Sequence, residues 1–305
     1  ENCNITGNWE SKDNLPTARG YLSVQQYQGK IYVIGGNNGY SVKTNNEIYE
    51  IATNTWSSGE SLPAPRYGIA SAILNDNIYV IGGNHSGYGS NSEIHSDMYI
   101  YNISSDTWIK GTDYHQSLDG AQAVALNGKI YVSGGASPGS YHNSFREFDP
   151  STNLWTLKAD MNDARAYHGM VAIDDKIYVF GGRCKKNEKT DWRETVEEFN
   201  YSTNSWVYKN FLPVKATDFG YTVLNGKIYL IGGRVAEVKN EITITEKDGI
   251  SFMVYNPQSD CWTTLNDLSY KTTAQGVTIY QGKIYSIGGM WDWGNSFNTI
   301  EIYKP

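Results

Sequence analysis

The chain lacks the patterns that most metalloproteins, nucleic-acid binders and membrane proteins carry. Its three cysteines, Cys3, Cys184 and Cys261, form an odd set without metal-ligand spacing. They signal neither a disulfide framework nor a zinc site and are expected to fill gaps. Positive charge is in deficit, with a net charge of -7 and a sequence pI near 5.3, which argues against attraction to phosphate backbones, so no nucleic-acid partner is expected. No apolar run approaches the roughly 20 residues that a membrane-spanning helix needs, so no membrane insertion is expected. A Gly-X-Ser-X-Gly elbow, a glycine-rich phosphate loop and paired metal-ligand cysteines are also missing. The five histidines, His85, His95, His115, His142 and His168, are too scattered along the chain to signal a metal site by spacing. No catalytic residue, metal or cofactor is therefore assigned. Four Asn-X-Ser/Thr sequons begin at Asn4, Asn84, Asn102 and Asn200, about the number chance supplies in so asparagine-rich a chain. The chain opens on Glu1 rather than methionine and closes two residues past Tyr303, as a processed chain or one excised from something longer would.

What the chain has in quantity is aromatic residues and glycine, including 24 tyrosines, nine tryptophans and 31 glycines among 305 residues. They are periodic. Ile-Tyr-X-X-Gly-Gly recurs six times, with glycine pairs at Gly35-Gly36, Gly82-Gly83, Gly134-Gly135, Gly181-Gly182, Gly232-Gly233 and Gly288-Gly289. A period near 50 built on short apolar strands marks stacked β units. In the third copy, Ala121 to Leu126 reads as strand A, Asn127-Gly128 as a type I′ turn and Lys129 to Gly135 as strand B. Gln28-Gly29, Asn225-Gly226 and Gln281-Gly282 are equivalent turns, with Asn75-Asp76 and Asp174-Asp175 as acidic variants. A third strand then ends in an aromatic that stands seven residues before a tryptophan, as in Tyr49 and Trp56, Tyr101 and Trp108, Phe148 and Trp155, Phe199 and Trp206, and Tyr255 and Trp262. Turn-formers lie between them, as a C-to-D hairpin needs. The sixth copy has Tyr303 but no later tryptophan, and Trp9 supplies it from the other end. The prediction is an all-β, six-bladed propeller over 1–305, with four antiparallel strands per blade. The N-terminal segment would be the outer strand of the C-terminal blade, closing the ring three-plus-one without free sheet edges.

On the glycine pair, the tyrosine before it and the spaced aromatic and tryptophan, the whole chain resembles the Kelch repeat family. The resemblance implies a six-bladed propeller and says little about function. A feature repeated in every blade serves the scaffold, so functional residues are sought where the copies differ. The copies are aligned on the apolar residue that ends strand A, Tyr27, Leu74, Leu126, Ile173, Leu224 or Tyr280. Four residues earlier stand Ser23, Ala70, Gln122, Gly169, Gly220 and Gly276, mostly small as strands crowding a central channel require. Eight residues earlier stand Arg19, Arg66, Leu118, Arg165, Ala216 and Thr272.

Arg19, Arg66 and Arg165 are thus expected around the channel mouth, presenting guanidinium forks to carboxylate or phosphate, or else stacking on tyrosines within the scaffold. Beside them come Tyr21, Tyr67, Tyr167 and His168, with Asp218, Phe219 and Tyr221 in blade 5. The set resembles the ligand rim of Kelch substrate adaptors, which grip acidic peptides with arginines. Enlarged B-to-C loops should open on the same face: His85 to His95 with Tyr88, Arg183 to Glu194 with Trp192, Val235 to Gly249, and Met290 to Gly294 with Trp291 and Trp293. Their aromatics suit a protein partner or a sugar ring. The expected function is non-catalytic recognition, by a monomeric propeller, of an acidic peptide, a protein surface or a glycan. The alternative is a sugar-acid isomerase resembling Kelch-type sialic-acid mutarotases, with the arginines holding the sugar carboxylate and an acidic loop residue moving the proton.

Overall fold

A computed structural model describes residues 7–86, 93–186, 189–239, 243–248, 252–265, 271–292 and 294–305. Six four-stranded antiparallel sheets form the six blades of a β-propeller. Their A strands are Ser23–Tyr27, Ala70–Leu74, Gln122–Leu126, Gly169–Ile173, Gly220–Leu224 and Gly276–Tyr280, for blades 1 to 6 in chain order, and they pack against one another around the central channel. Blade 1 continues through Lys30–Ile34, Asn46–Glu50 and Thr55–Ser58. Blade 6 is closed as the missing tryptophan predicts: Asn8–Lys12 pairs with Ile300–Lys304 and sets Trp9 opposite Tyr303. The other five aromatic-tryptophan pairs also face each other across the C-to-D hairpin.

Type I′ geometry at the A-to-B turns follows sequence. Both central residues have positive φ at Gln28-Gly29, Asn127-Gly128, Asn225-Gly226 and Gln281-Gly282. In the acidic variants only Asn75 and Asp174 do, because a Cβ at the second position disfavours it.

The glycine pairs join one blade to the next. The second glycine of each pair donates its N–H to the carbonyl of the aligned residue that leads into the following blade: Gly36 to Arg66 (2.7 Å), Gly83 to Leu118 (2.7 Å), Gly135 to Arg165 (2.9 Å), Gly182 to Ala216 (2.8 Å), Gly233 to Thr272 (2.9 Å) and Gly289 to Arg19 (2.9 Å). A Cβ on the first glycine would collide with that same carbonyl, at 2.6 Å for Gly35 against Arg66, and both glycines have positive φ. Space and conformation exclude other residues here. Six of the seven apolar clusters among the described residues lie between blades, where the B-strand tyrosines and C-strand aromatics interleave. Cys184 is buried, as a gap-filler should be, whereas Cys261 is exposed on strand D of blade 5; Cys3 lies outside the described residues.

The three aligned arginines are internal. Arg19 donates its Nε–H to the Gly35 carbonyl (2.7 Å) and an Nη1–H to Glu47 (2.5 Å). Arg66 forms a fork with both oxygens of Asp97 (2.5 and 2.8 Å) and reaches the Gly82 carbonyl (3.1 Å). Arg165 binds Glu197 (2.6 Å) and the Gly181 carbonyl (2.8 Å). Each therefore ties a glycine-pair carbonyl to a carboxylate at the C strand of the same blade. Both Arg165 and Glu197 side chains are wholly out of solvent, and a buried ion pair that loses one partner strands the other charge. Glu197→Ala is expected to lower the unfolding free energy by about 3–5 kcal/mol, measured by denaturant titration; a loss under about 1 kcal/mol, as for an exposed pair, would contradict this role.

Candidate functional site at the channel mouth

The approach to each A strand makes the same backbone turn two residues after the aligned position. Tyr21, Gly68, Gly120, Tyr167, Asp218 and Ala274 all have positive φ, between 52° and 67°. Their amides form a closed circle of hydrogen bonds. Tyr21 N–H donates to the Ala274 carbonyl (2.8 Å), Ala274 to Asp218 (2.6 Å), Asp218 to Tyr167 (3.3 Å), Tyr167 to Gly120 (2.7 Å), Gly120 to Gly68 (2.8 Å) and Gly68 to Tyr21 (3.1 Å). This collar bounds a channel cavity of about 410 Å³ lined by all six A strands.

A left-handed backbone disfavours an L-residue with a side chain by about 1–2 kcal/mol, and bulky residues are rare there. Glycine meets the demand in blades 2 and 3, yet blades 1 and 4 place tyrosine. Such outliers cluster where a side chain has a task. The rings of Tyr21 and Tyr167 stand edge to face at 5.4 Å, and Tyr67 lies 6.0 Å from Tyr21. With Ala274 and Met290 they make an apolar cluster on the mouth. Burial pushes the Tyr21 phenol up to about 12, and Tyr67 and Tyr167 are raised further. All three are therefore neutral phenols, of which Tyr21 and Tyr167 are hydrogen-bonded through their hydroxyls.

Charged residues surround the cluster. The residue after each glycine pair pairs with the residue just before the collar, as at Tyr67 with Asn84 and Ala166 with Arg183, so the B-to-C loops do open on this face. Arg183 stacks on the Tyr167 ring at 4.6 Å, forms an ion pair with Asp218 and donates to the Tyr21 hydroxyl at 3.2 Å. Arg234 holds the same position in blade 5. Asp119 accepts the Tyr167 O–H at 2.5 Å and the Asn84 amide at 3.4 Å. Desolvation raises its carboxyl to about 6, opposed by those hydrogen bonds and by Arg183. Inside the channel Tyr221 donates across to Gln122 at 2.5 Å. His168 Nδ1, Asp218 Oδ1 and Gln275 Oε1 are buried without a hydrogen-bond partner among the described residues.

Several expected site residues stand elsewhere. Arg19, Arg66 and Arg165 have no exposed guanidinium to offer a ligand, because eight residues before the strand end falls behind the collar, between a glycine pair and a carboxylate. His168, bonded to Ser133 (2.8 Å), and Phe219, stacked on Phe180, line the channel wall as buried packing groups. Trp192 is buried in the hairpin of Arg183–Lys186 and Lys189–Trp192, not displayed on it. Trp291 is exposed, and with Tyr40 and Phe297 it flanks a second groove of about 570 Å³ between blades 6 and 1. Tyr88 and Trp293 lie outside the described residues. The sequence reading missed Tyr40 beside the second groove and Asp119 at the mouth, and it placed Arg183 in a loop on this face without singling it out as a contact. Tyr40 follows a glycine pair outside the repeat pattern, which was a usable signal; Asp119 and Arg183 acquire their meaning only from the collar.

A profile described as the KLHDC2/KLHL20/DRC7 Kelch-repeats domain matches residues 112–289, and the Kelch motif matches 18–63 and 65–113. The chain belongs to the Kelch repeat family. Among Kelch relatives, Kelch-like protein 24 of Rattus norvegicus is 36% identical over 209 residues, covering 68% of this chain and 32% of that protein. Kelch-like protein 28 of Homo sapiens is 30% identical over 96 residues, 32% of this chain and 17% of that protein. The Kelch chain thus matches only a minor part of either relative's length. A solved structure titled "Structure of YjhT" superposes with a TM-score of 0.82 at 16% identity, covering 95% of both chains, and shows the shared fold alone. No helix among the described residues is long and apolar enough to cross a membrane.

Because Asp119 is raised in the folded state from 3.8 to about 6, folding binds its proton, and its contribution to stability falls as pH rises from about 4 to 6. Carbon-detected NMR should show this carboxyl titrating near pH 6, and higher still in Arg183→Gln. A midpoint near 4 in both proteins would refute the arrangement.

Proposed function

We propose that the chain is a recognition module that binds a protein segment across the channel mouth and performs no chemistry on it. The observation that carries this reading is the pair of tyrosines held in the left-handed collar at positions 21 and 167, where glycine serves the same turn in two other blades. The turn itself can be made by glycine, so it does not require tyrosine; the two rings and hydroxyls add an apolar, hydrogen-bonding surface to the mouth beyond what the turn needs. Tyrosine with arginine is the composition of protein-binding hot spots. Arg183 and Arg234 give one side of the mouth a cationic edge suited to an acidic residue of the partner, and the Tyr40 and Trp291 groove offers a second anchor. Panning a random peptide library on the chain, with counter-selection on a Tyr21→Gly, Arg183→Ala, Trp291→Ala variant, should enrich acidic peptides that bind the variant about 10-fold or more weakly. Equal binding to both proteins would end the proposal.

A second reading, a sugar-acid mutarotase, is favoured by one observation: a carboxyl at the channel mouth raised to about 6 within the field of Arg183, as a proton-transferring group would be. Asp119 would move the proton and Arg183 would hold the sugar carboxylate. Exchange NMR with sialic and uronic acids should then show anomer interconversion accelerated by the chain and lost in Asp119→Asn; no acceleration rules the reading out.

A further inference from the structure

We infer that His85, Glu93 and His95 form a binding site for a divalent transition-metal ion of the zinc class on the rim of blade 2. The site arises from strand register. Asn84 pairs with Ile94 across the B-to-C loop, His85 N–H donates to the Glu93 carbonyl at 3.0 Å, and His95 N–H donates to the Gly83 carbonyl at 2.9 Å. Residue 85 therefore stands opposite 93, and 95 follows two places along the same strand, so the three side chains share one face. Each offers one ligand atom, and all three atoms lie within 4.8 Å of one another. His85 Nδ1 is 3.7 Å from a Glu93 oxygen, and the two imidazole rings are 6.1 Å apart.

Two imidazoles and a carboxylate are the donor set of open zinc sites, with metal–ligand bonds of about 2.0–2.2 Å. Donors already this close need only small side-chain rotations to meet one ion, and the largely exposed His85 and Glu93 are free to make them. His95 carries an independent sign. Its Nε2 is buried with no hydrogen-bond partner among the described residues, while its Nδ1 stands 4.0 Å from Asp97, itself clamped by Arg66. At 4.0 Å the pair is not yet hydrogen-bonded, but a small ring rotation would give His95 the carboxylate support usual behind a metal-bound imidazole. Three protein donors leave at least one coordination position to water.

The test uses the whole chain stripped of metal with a chelator and titrated with Co²⁺, followed by visible absorption, and with Zn²⁺, followed by calorimetry. One equivalent of each should bind, with ligand-field bands for Co²⁺ that Zn²⁺ abolishes. His85→Ala and Glu93→Gln change exposed side chains and should leave the thermal transition of the metal-free chain in place while weakening both ions by about 10-fold or more. His95→Ala should do so as well, and His115→Ala, on an exposed histidine elsewhere, should bind as the parent does. No saturable binding, or equal affinity in His85→Ala, Glu93→Gln and the parent, overturns the site.

Discussion

The ring depends on a hydrogen bond made six times, from the second glycine of each pair to the carbonyl that leads into the next blade. It is the point where each blade is indexed against its neighbour. A side chain on the first glycine would occupy the carbonyl's place, so the residue type is set by an oxygen on another blade. The arginines of blades 1, 2 and 4 reinforce the same junction from behind by holding the first glycine's carbonyl against a C-strand carboxylate. Blades 3, 5 and 6 place Leu118, Ala216 and Thr272 at that position, and their junctions keep the backbone bond without the charge pair.

The six blades could be read from a local pattern repeated six times and the closure through Trp9 from the one place where it breaks, while strand ends shifted by a residue or two, as Gln122–Leu126 and Lys129–Ser133 show in blade 3. The mouth could be read only in part. Alignment placed Arg19, Arg66 and Arg165 in register correctly, but register along a strand does not say which side of a turn a long side chain takes. The left-handed residue two places on reverses the chain and turns those guanidiniums inward. Trp192 failed similarly, since a hairpin hides as many aromatics as it shows. Spacing alone gives His85 and His95 no metal signal, yet the ladder around Asn84 and Ile94 brings them onto one face. Pairing across a loop of this kind is invisible to residue spacing.

Scaffold and recognition are therefore carried by adjacent positions with opposite rules. The glycine pairs are nearly invariant between copies because backbone meets backbone there. The collar, two residues past the junction, shares φ at all six positions but not its surroundings, since a Cβ on Gly120 would meet the Tyr167 ring at 2.5 Å, and the six copies fill it with tyrosine, glycine, glycine, tyrosine, aspartate and alanine. Tyr21, Tyr167 and Asp218 could diversify because a turn that tolerates strain restrains the side chain less than a packed strand does.

The hydrogen-bonded collar has one more property. Its six donors all point the same way round the channel and the last meets the first, so it has no terminal amide and no terminal carbonyl. A helix end concentrates partial charge on its unsatisfied groups; a cycle has none to concentrate. The peptide dipoles circulate in place of adding along the axis, and the backbone at the mouth presents no pole to an approaching molecule. Whatever sign of charge the opening prefers is written by Arg183, Arg234, Asp119 and Asp218, and exchanging those few side chains could invert it without disturbing the ring beneath.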